Sequence, residues 1–181
     1  TASTRLVHLA EAGTGHIFSI KVDDGSEERL SNVTVPRADT AVFSKNGLFA
    51  AVGVEGTDSL IFISLPHGTT SLSSVAVGSE FSSLAFSDNN TLLYSKKEGV
   101  FTRVYEFNPN TEQSSLIFTI PFREATILWG TNPAGPHHVY PKSARDLEGY
   151  LYRVIGTEIT RLPVSGFGFA AITNTDNVFY S

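Results

Sequence analysis

The sequence has no cysteine, which excludes disulfide bonds and any zinc site built on thiolates. Methionine is also absent, and the first residue is threonine. Such a beginning implies an N-terminus that was cut or left out, with room for a lost targeting segment. Basic residues are few: 13 Lys and Arg stand against 18 Asp and Glu, a net charge of −5. No basic stripe exists to neutralise phosphates, so nucleic acid is not an expected partner. Long apolar runs are missing too. Ser, Thr, Gly and Pro interrupt every hydrophobic stretch before the roughly 20 residues a membrane helix needs.

What remains is globular in balance, with 41% hydrophobic and 17% charged residues over a length that supports one sizeable core. Good helix formers are sparse, while Ser, Thr, Gly, Asn, Val and Phe are plentiful, which favours strands and turns.

The ordering principle is a repeat. Phe43, Phe86, Trp129 and Ile172 stand 43 residues apart, and each closes a short apolar run: TAVF, SLAF, TILW, FAAI. A turn-rich segment follows each: SKNG, SDNN, GTNPAGP, TNTDN. There Asn, Asp and Gly supply the positive φ that tight hairpins need. A second apolar run, a third around Phe18, Phe62, Tyr105 and Tyr152, and a more polar fourth complete each unit. Four short strands every forty-odd residues, without helical periodicity, predict an all-β propeller of four-stranded antiparallel blades. Naming the strands a to d outward, residues 1–36 supply b-c-d. Full blades cover about 37–79, 80–122 and 123–165, and 166–181 begin the next.

The third full blade carries extra residues within TNPAGPHHVYPKSARDLEG, in a connection where a packed repeat tolerates them. Because both ends of the chain supply strand b, they do not complement each other. The expectation is therefore part of a larger ring, which alone would be oligomeric or poorly soluble and would seek the remainder of its propeller or another copy. Phe43, Phe86 and Trp129 are expected as buried inner-strand residues.

The phrases FSKNGLFAAV and FSDNNTLLYS resemble those of bacterial WD-repeat-like and Tol-type propellers, including the propeller domains of prolyl oligopeptidases. GTGHIFSI, EERLSNVTVPRADTAVFSKNG and GYLYRV resemble an uncharacterised propeller-like family of ultrasmall candidate-phylum bacteria. That resemblance implies an extracytoplasmic, envelope-associated protein held by an N-terminal membrane anchor not present in this sequence. It implies no activity. The WD-repeat hallmarks themselves are absent, and Gly15-His16 is a lone match.

Chemical motifs are weak. His137-His138 would point to opposite faces of a strand, and beside Pro133 and Pro136 the pair is expected in an exposed turn rather than at a metal. VSGFG places Ser165 before Gly166 but lacks the first glycine of a nucleophile elbow. Asp23-Asp24-Gly25 and Asp88-Asn89-Asn90 lack the spaced acids of a calcium loop and read as turns. Asn32-Val33-Thr34 and Asn89-Asn90-Thr91 fit the glycosylation triplet, which arises often by chance in such a chain. No cofactor, metal or catalytic residue is expected.

More informative are the connections from strand d to the next strand a. With the b-to-c hairpins they form the face where propellers dock ligands. Arg37, Glu80, Arg123 and Gly166 occupy equivalent places, with Asp39, Glu124 and Phe167 beside them. This mixed rim suits a protein, peptide or glycan. The expected function is a non-catalytic binding or scaffolding module; the alternative is the gating propeller of a larger hydrolase of prolyl-oligopeptidase type.

Overall fold

The computed structural model describes residues 5–54, 57, 59–65, 72–76, 81–141, 150–165, 170–172 and 178–180. For residues 72–76, 81–82, 164–165, 170–172 and 178–180 only the backbone is considered. Among the described residues there are seventeen strands and no helix. The chain divides into two compact units, Thr1–Gly78 and Ser79–Ser181.

Unit 1 holds a three-stranded antiparallel sheet, β1 (Leu6–Ala10), β2 (Ile17–Lys21) and β3 (Glu27–Arg29). A four-stranded sheet follows, in the order β4 (Ala38–Phe43), β5 (Phe49–Val54), β6 (Ser59–Ser64), β7 (Leu72–Ala76). Ile17 of the first sheet and Ala38, Ala50, Val52 and Ile63 of the second are buried in one core with Val35 and Leu65, which lie outside the strands. Burying such aliphatic side chains contributes about 1.5–3 kcal/mol each.

Unit 2 repeats the plan. One sheet runs β8 (Phe81–Phe86), β9 (Leu92–Glu98), β10 (Phe101–Asn108), β11 (Gln113–Ile120). The next runs β12 (Ala125–Leu128), β13 (His137–Pro141), β14 (Tyr150–Ile155), β15 (Glu158–Ser165). A pair, β16 (Ala170–Ile172) and β17 (Val178–Tyr180), follows. Val104, Phe118 and Ile120 meet Ala125, Ile127, Val139 and Val154 in a second core. Each four-stranded sheet is thus an antiparallel meander, one blade.

The repeated phrase is a hairpin device. Gly47 and Asn90, 43 residues apart, both have positive φ, 70° and 59°. One turn back, Ser44 and Ser87 are both buried. The Ser44 hydroxyl accepts from the Phe49 amide at 2.9 Å and donates to Asn46 Oδ1 at 2.7 Å. Ser87 Oγ accepts from the Asn89 and Thr91 amides, each at 3.2 Å. In the third full blade the equivalent position is Gly130, and the hairpin spans 129–136. Here His137 does the serine's work. Its Nδ1 accepts from the Gly130 amide at 3.1 Å, so Nε2 carries the proton and donates to the Pro133 carbonyl at 3.0 Å.

Two expectations need correction. His137 and His138 are not in an exposed turn: both begin β13 and are buried, at 0% and 3% exposure. The prolines precede the strand, and the longer hairpin folds back over it. Phe43, Phe86 and Trp129 are half-buried rather than core. They sit where the inner strands run into their hairpins, so the turn end of each blade leaves one side open. Full burial falls on the second and third strands, at Leu60, Leu92, Leu93, Val104 and Val139, and at Ile120 on the outer β11. Trp129 nevertheless packs edge-on to His137 (5.5 Å) and donates Nε1–H to Ser83 Oγ at 2.8 Å.

Candidate functional site

In unit 1 Arg37 ends the connection from β3 to β4, and Asp39 is the second residue of β4. Both are exposed. Arg37 has φ of 65°, uncommon for a residue with a side chain, and its amide donates to the Gly13 carbonyl at 2.8 Å. Gly13 in turn donates to the Ala38 carbonyl at 3.0 Å, so the β1–β2 hairpin is tied to this connection. Asp39 is the extra residue of a bulge: Ala38 pairs with Val54 and Thr40 with Gly53. A bulge at a strand's edge re-aims the side chain it adds. The same irregularity recurs 43 residues later, between Phe81 and Ser83.

Gly15 explains the lone Gly-His match. A Cβ there would lie 2.5 Å from Val35 Cβ, and φ is 67°, so only glycine fits. Beside it His16 Nδ1 lies 3.4 Å from Glu11 Oε2, and His16 Nε2 lies 3.1 Å from Thr34 Oγ1. The Thr14 hydroxyl also donates to Glu11. Sequence reasoning missed this cluster because its members are neighbours only across the hairpin. The order hydroxyl, imidazole, carboxylate is that of a hydrolytic triad. Glu11 and Thr34 are exposed, so both ends of the relay face water. Its evident use is to pin hairpin to connection.

In unit 2 the corresponding connection, residues 121–124, joins β11 to β12. Phe122 turns inward against Tyr152 at 5.0 Å. Arg123 is exposed, and its carbonyl accepts from the Thr102 hydroxyl at 3.0 Å. Glu124 is half-buried and accepts from Lys97 Nζ at 3.1 Å. Both contacts reach the β9–β10 hairpin. There Val100 and Phe101 are exposed to 67% and 43%, a large apolar pair that the sequence reading did not single out. Position 99 is glycine at φ 63°, so the hairpin turns tightly and leaves the next two side chains at its tip.

Around them lies a network of charge. Glu98 accepts from Lys96 (2.7 Å), Arg103 (2.5 Å) and the Tyr105 hydroxyl (3.1 Å). The Lys96 hydrogen bond, aided by Tyr105 and by the charges of Lys96 and Arg103, holds the Glu98 carboxyl below its ordinary value. The same bond to Glu98 raises Lys96, whose ammonium also lies 4.8 Å from the Tyr105 ring centre. Tyr105 stacks on Tyr94 at 5.3 Å.

Glu80, Gly166 and Phe167 lie outside the described residues. Asp23-Asp24-Gly25 forms the β2–β3 turn: Gly25 has φ of 70°, and Asp24 Oδ1 accepts from the Ser26 amide at 2.8 Å. Hydrogen bonding to the Ser26 side chain first, and to its amide second, lowers the Asp24 pKa. Among the described residues no group of three or more His, Asp or Glu is placed to hold a metal ion.

No family model matches the sequence, and no curated protein matches it. Solved structures do. The propeller domain of the Trilobed protease from Pyrococcus furiosus, described as having an open velcro topology, superposes with a TM-score of 0.59 at 13% identity. That match covers 92% of this chain and 55% of that one. The fold is a β-propeller. Acylaminoacyl peptidase from Pyrococcus horikoshii gives 0.60 at 15% identity, over 94% of this chain and 32% of the other. A chain of the nidogen–laminin complex gives 0.64 at 6% identity, over 98% and 68%. This chain thus spans about a third to two thirds of these neighbours, and at such identities the likeness concerns fold alone.

Proposed function

We propose that this chain is a non-catalytic binding module that engages a protein or peptide through the end of its blades bearing the d-to-a connections and b-to-c hairpins. A glycan on the same rim is the other ligand class its mixed charge admits. The observation that carries the reading is the Val100-Phe101 tip, exposed yet braced by Thr102 on Arg123 and by Lys97 on Glu124. An aromatic and aliphatic anchor on a rigid hairpin, ringed by paired charges, has the makeup of an interface hot spot. In unit 2, Arg123 and Glu124 beside the tip are its proposed specificity residues; Arg37 and Asp39 of unit 1, and Glu80 and Phe167 by sequence position, are proposed for the same role at their own connections. The resemblance of GTGHIFSI and its neighbours to an anchored propeller family supports placing the module at the cell envelope.

The test is capture of the partner from native extract, its identification, and a titration against variants. Phe101→Ala with Val100→Ser, and Arg123→Glu, are each expected to weaken binding about tenfold or more. Glu112→Lys, on the opposite β10–β11 turn, is expected to leave it unchanged. Equal losses from all three would refute the assignment.

A second reading, the gating propeller of a larger hydrolase, is supported by the likeness to the two peptidase chains. It requires α/β-hydrolase sequence in the parent gene, whereas further blades there would support the binder.

A further inference from the structure

At the other end of unit 1, where the β2–β3 and β4–β5 hairpins lie, the two sheets enclose an open cleft of about 630 Å³. This falls within the roughly 300–1,000 Å³ usual for small-molecule sites. Its wall is one row across the first sheet: His8 pairs with Ser19, and Ser19 with Glu28. Ser19 lines the cleft at 6% exposure, and its buried hydroxyl has no hydrogen-bond partner in the protein. A buried hydroxyl left unpaired is costly, so a water or a ligand must complete it. His8 stands beside it, wedged against Gly47 and 5.7 Å from the Phe43 ring. Burial lowers the His8 pKa, so at neutral pH the ring is uncharged and offers one donor and one acceptor.

The mouth carries Lys21 and Arg29 against Glu27 and Glu28, all exposed. An anion entering there would meet two carboxylates, and a cation two bases, so neither is favoured. Leu30, Leu48 and Leu65 add aliphatic surface. A ligand that suits all of this is neutral, dense in hydroxyls able both to donate and to accept, and has C–H faces to lay on leucine. We propose that this cleft binds a neutral saccharide unit, with Ser19 at its floor and Glu28 accepting from its hydroxyls. The site is separate from the loop-face reading above and stands or falls independently.

The experiment titrates the full chain with a panel of neutral disaccharides (maltose, cellobiose, lactose, trehalose and N,N′-diacetylchitobiose) and with inorganic phosphate, by calorimetry and saturation-transfer NMR. At least one disaccharide is expected to bind and phosphate is not. Ser19→Ala should weaken that binding about tenfold while leaving the melting temperature of the free protein unchanged or higher, since the lost hydroxyl had no partner. Glu28→Gln, at an exposed position, should weaken it as well. Failure of every disaccharide to bind, preferential binding of phosphate, or binding indifferent to both substitutions would overturn the proposal.

Discussion

His137 shows how one residue can take over another's structural task. Both ring nitrogens are used, one accepting from Gly130 and one donating to Pro133, and the ring stacks on Phe118 at 5.5 Å. His137→Phe keeps the stacking but leaves a buried amide and a carbonyl unpaired, so it should destabilise unit 2 by about 2–4 kcal/mol in urea unfolding. A loss under about 1 kcal/mol would mean that the ring acts by shape alone. His8 makes a different prediction. Its folded pKa is depressed by burial, so below the unfolded value the unfolded chain binds a proton that the folded chain refuses. Its contribution to stability is therefore constant above about pH 6.5 and declines as pH falls from there toward the depressed folded pKa. In unfolding midpoints measured from pH 7.5 to 5, His8→Leu should flatten this decline relative to the native chain. Identical slopes would contradict the assignment.

At the scale of elements, the Ser-x-x-Gly/Asn hairpin was legible because it repeats: serine closes the turn and the residue three positions on takes positive φ. Ser87→Ala should cost about 1–2 kcal/mol, since the Asn89 and Thr91 amides lose their acceptor, while the Thr91 hydroxyl keeps its bond to Glu106. The third blade reverses the logic of the repeat. Restoring the missing serine by Gly130→Ser should destabilise by about 3 kcal/mol or more, because a Cβ there would lie 2.1 Å from the Pro136 carbonyl oxygen. A neutral or stabilising result in thermal melts would mean that the hairpin can rearrange. Strand order and blade content were legible for the same reason, as period and alternation report backbone geometry directly. Burial of Phe43, Phe86 and Trp129 was misjudged because period says which face a side chain takes, not how much lies over it. The His137 inversion was hidden because the partners that draw it inward, Gly130 and Pro133, are set by hairpin length rather than by pattern.

For the molecule as a whole, the sequence identified connections, and the structure shows what surrounds them. Arg123 and Glu124 were singled out by their equivalent positions, and both contact the β9–β10 hairpin. The neighbouring Val100-Phe101 tip escaped notice because its significance rests on exposure, which one sequence does not display. The Glu11-His16-Thr34 cluster escaped for a related reason, being assembled across a hairpin. The account therefore turns on whether the loop end of the blades is where a partner sits. Hydrogen–deuterium exchange of the chain, free and saturated with its captured partner, measures this most directly. New protection is predicted at the amides of 97–103 and 122–125, with the opposite turns at 87–91 and 110–112 exchanging as before. Protection confined to those opposite turns, with 97–103 unchanged, would contradict the account.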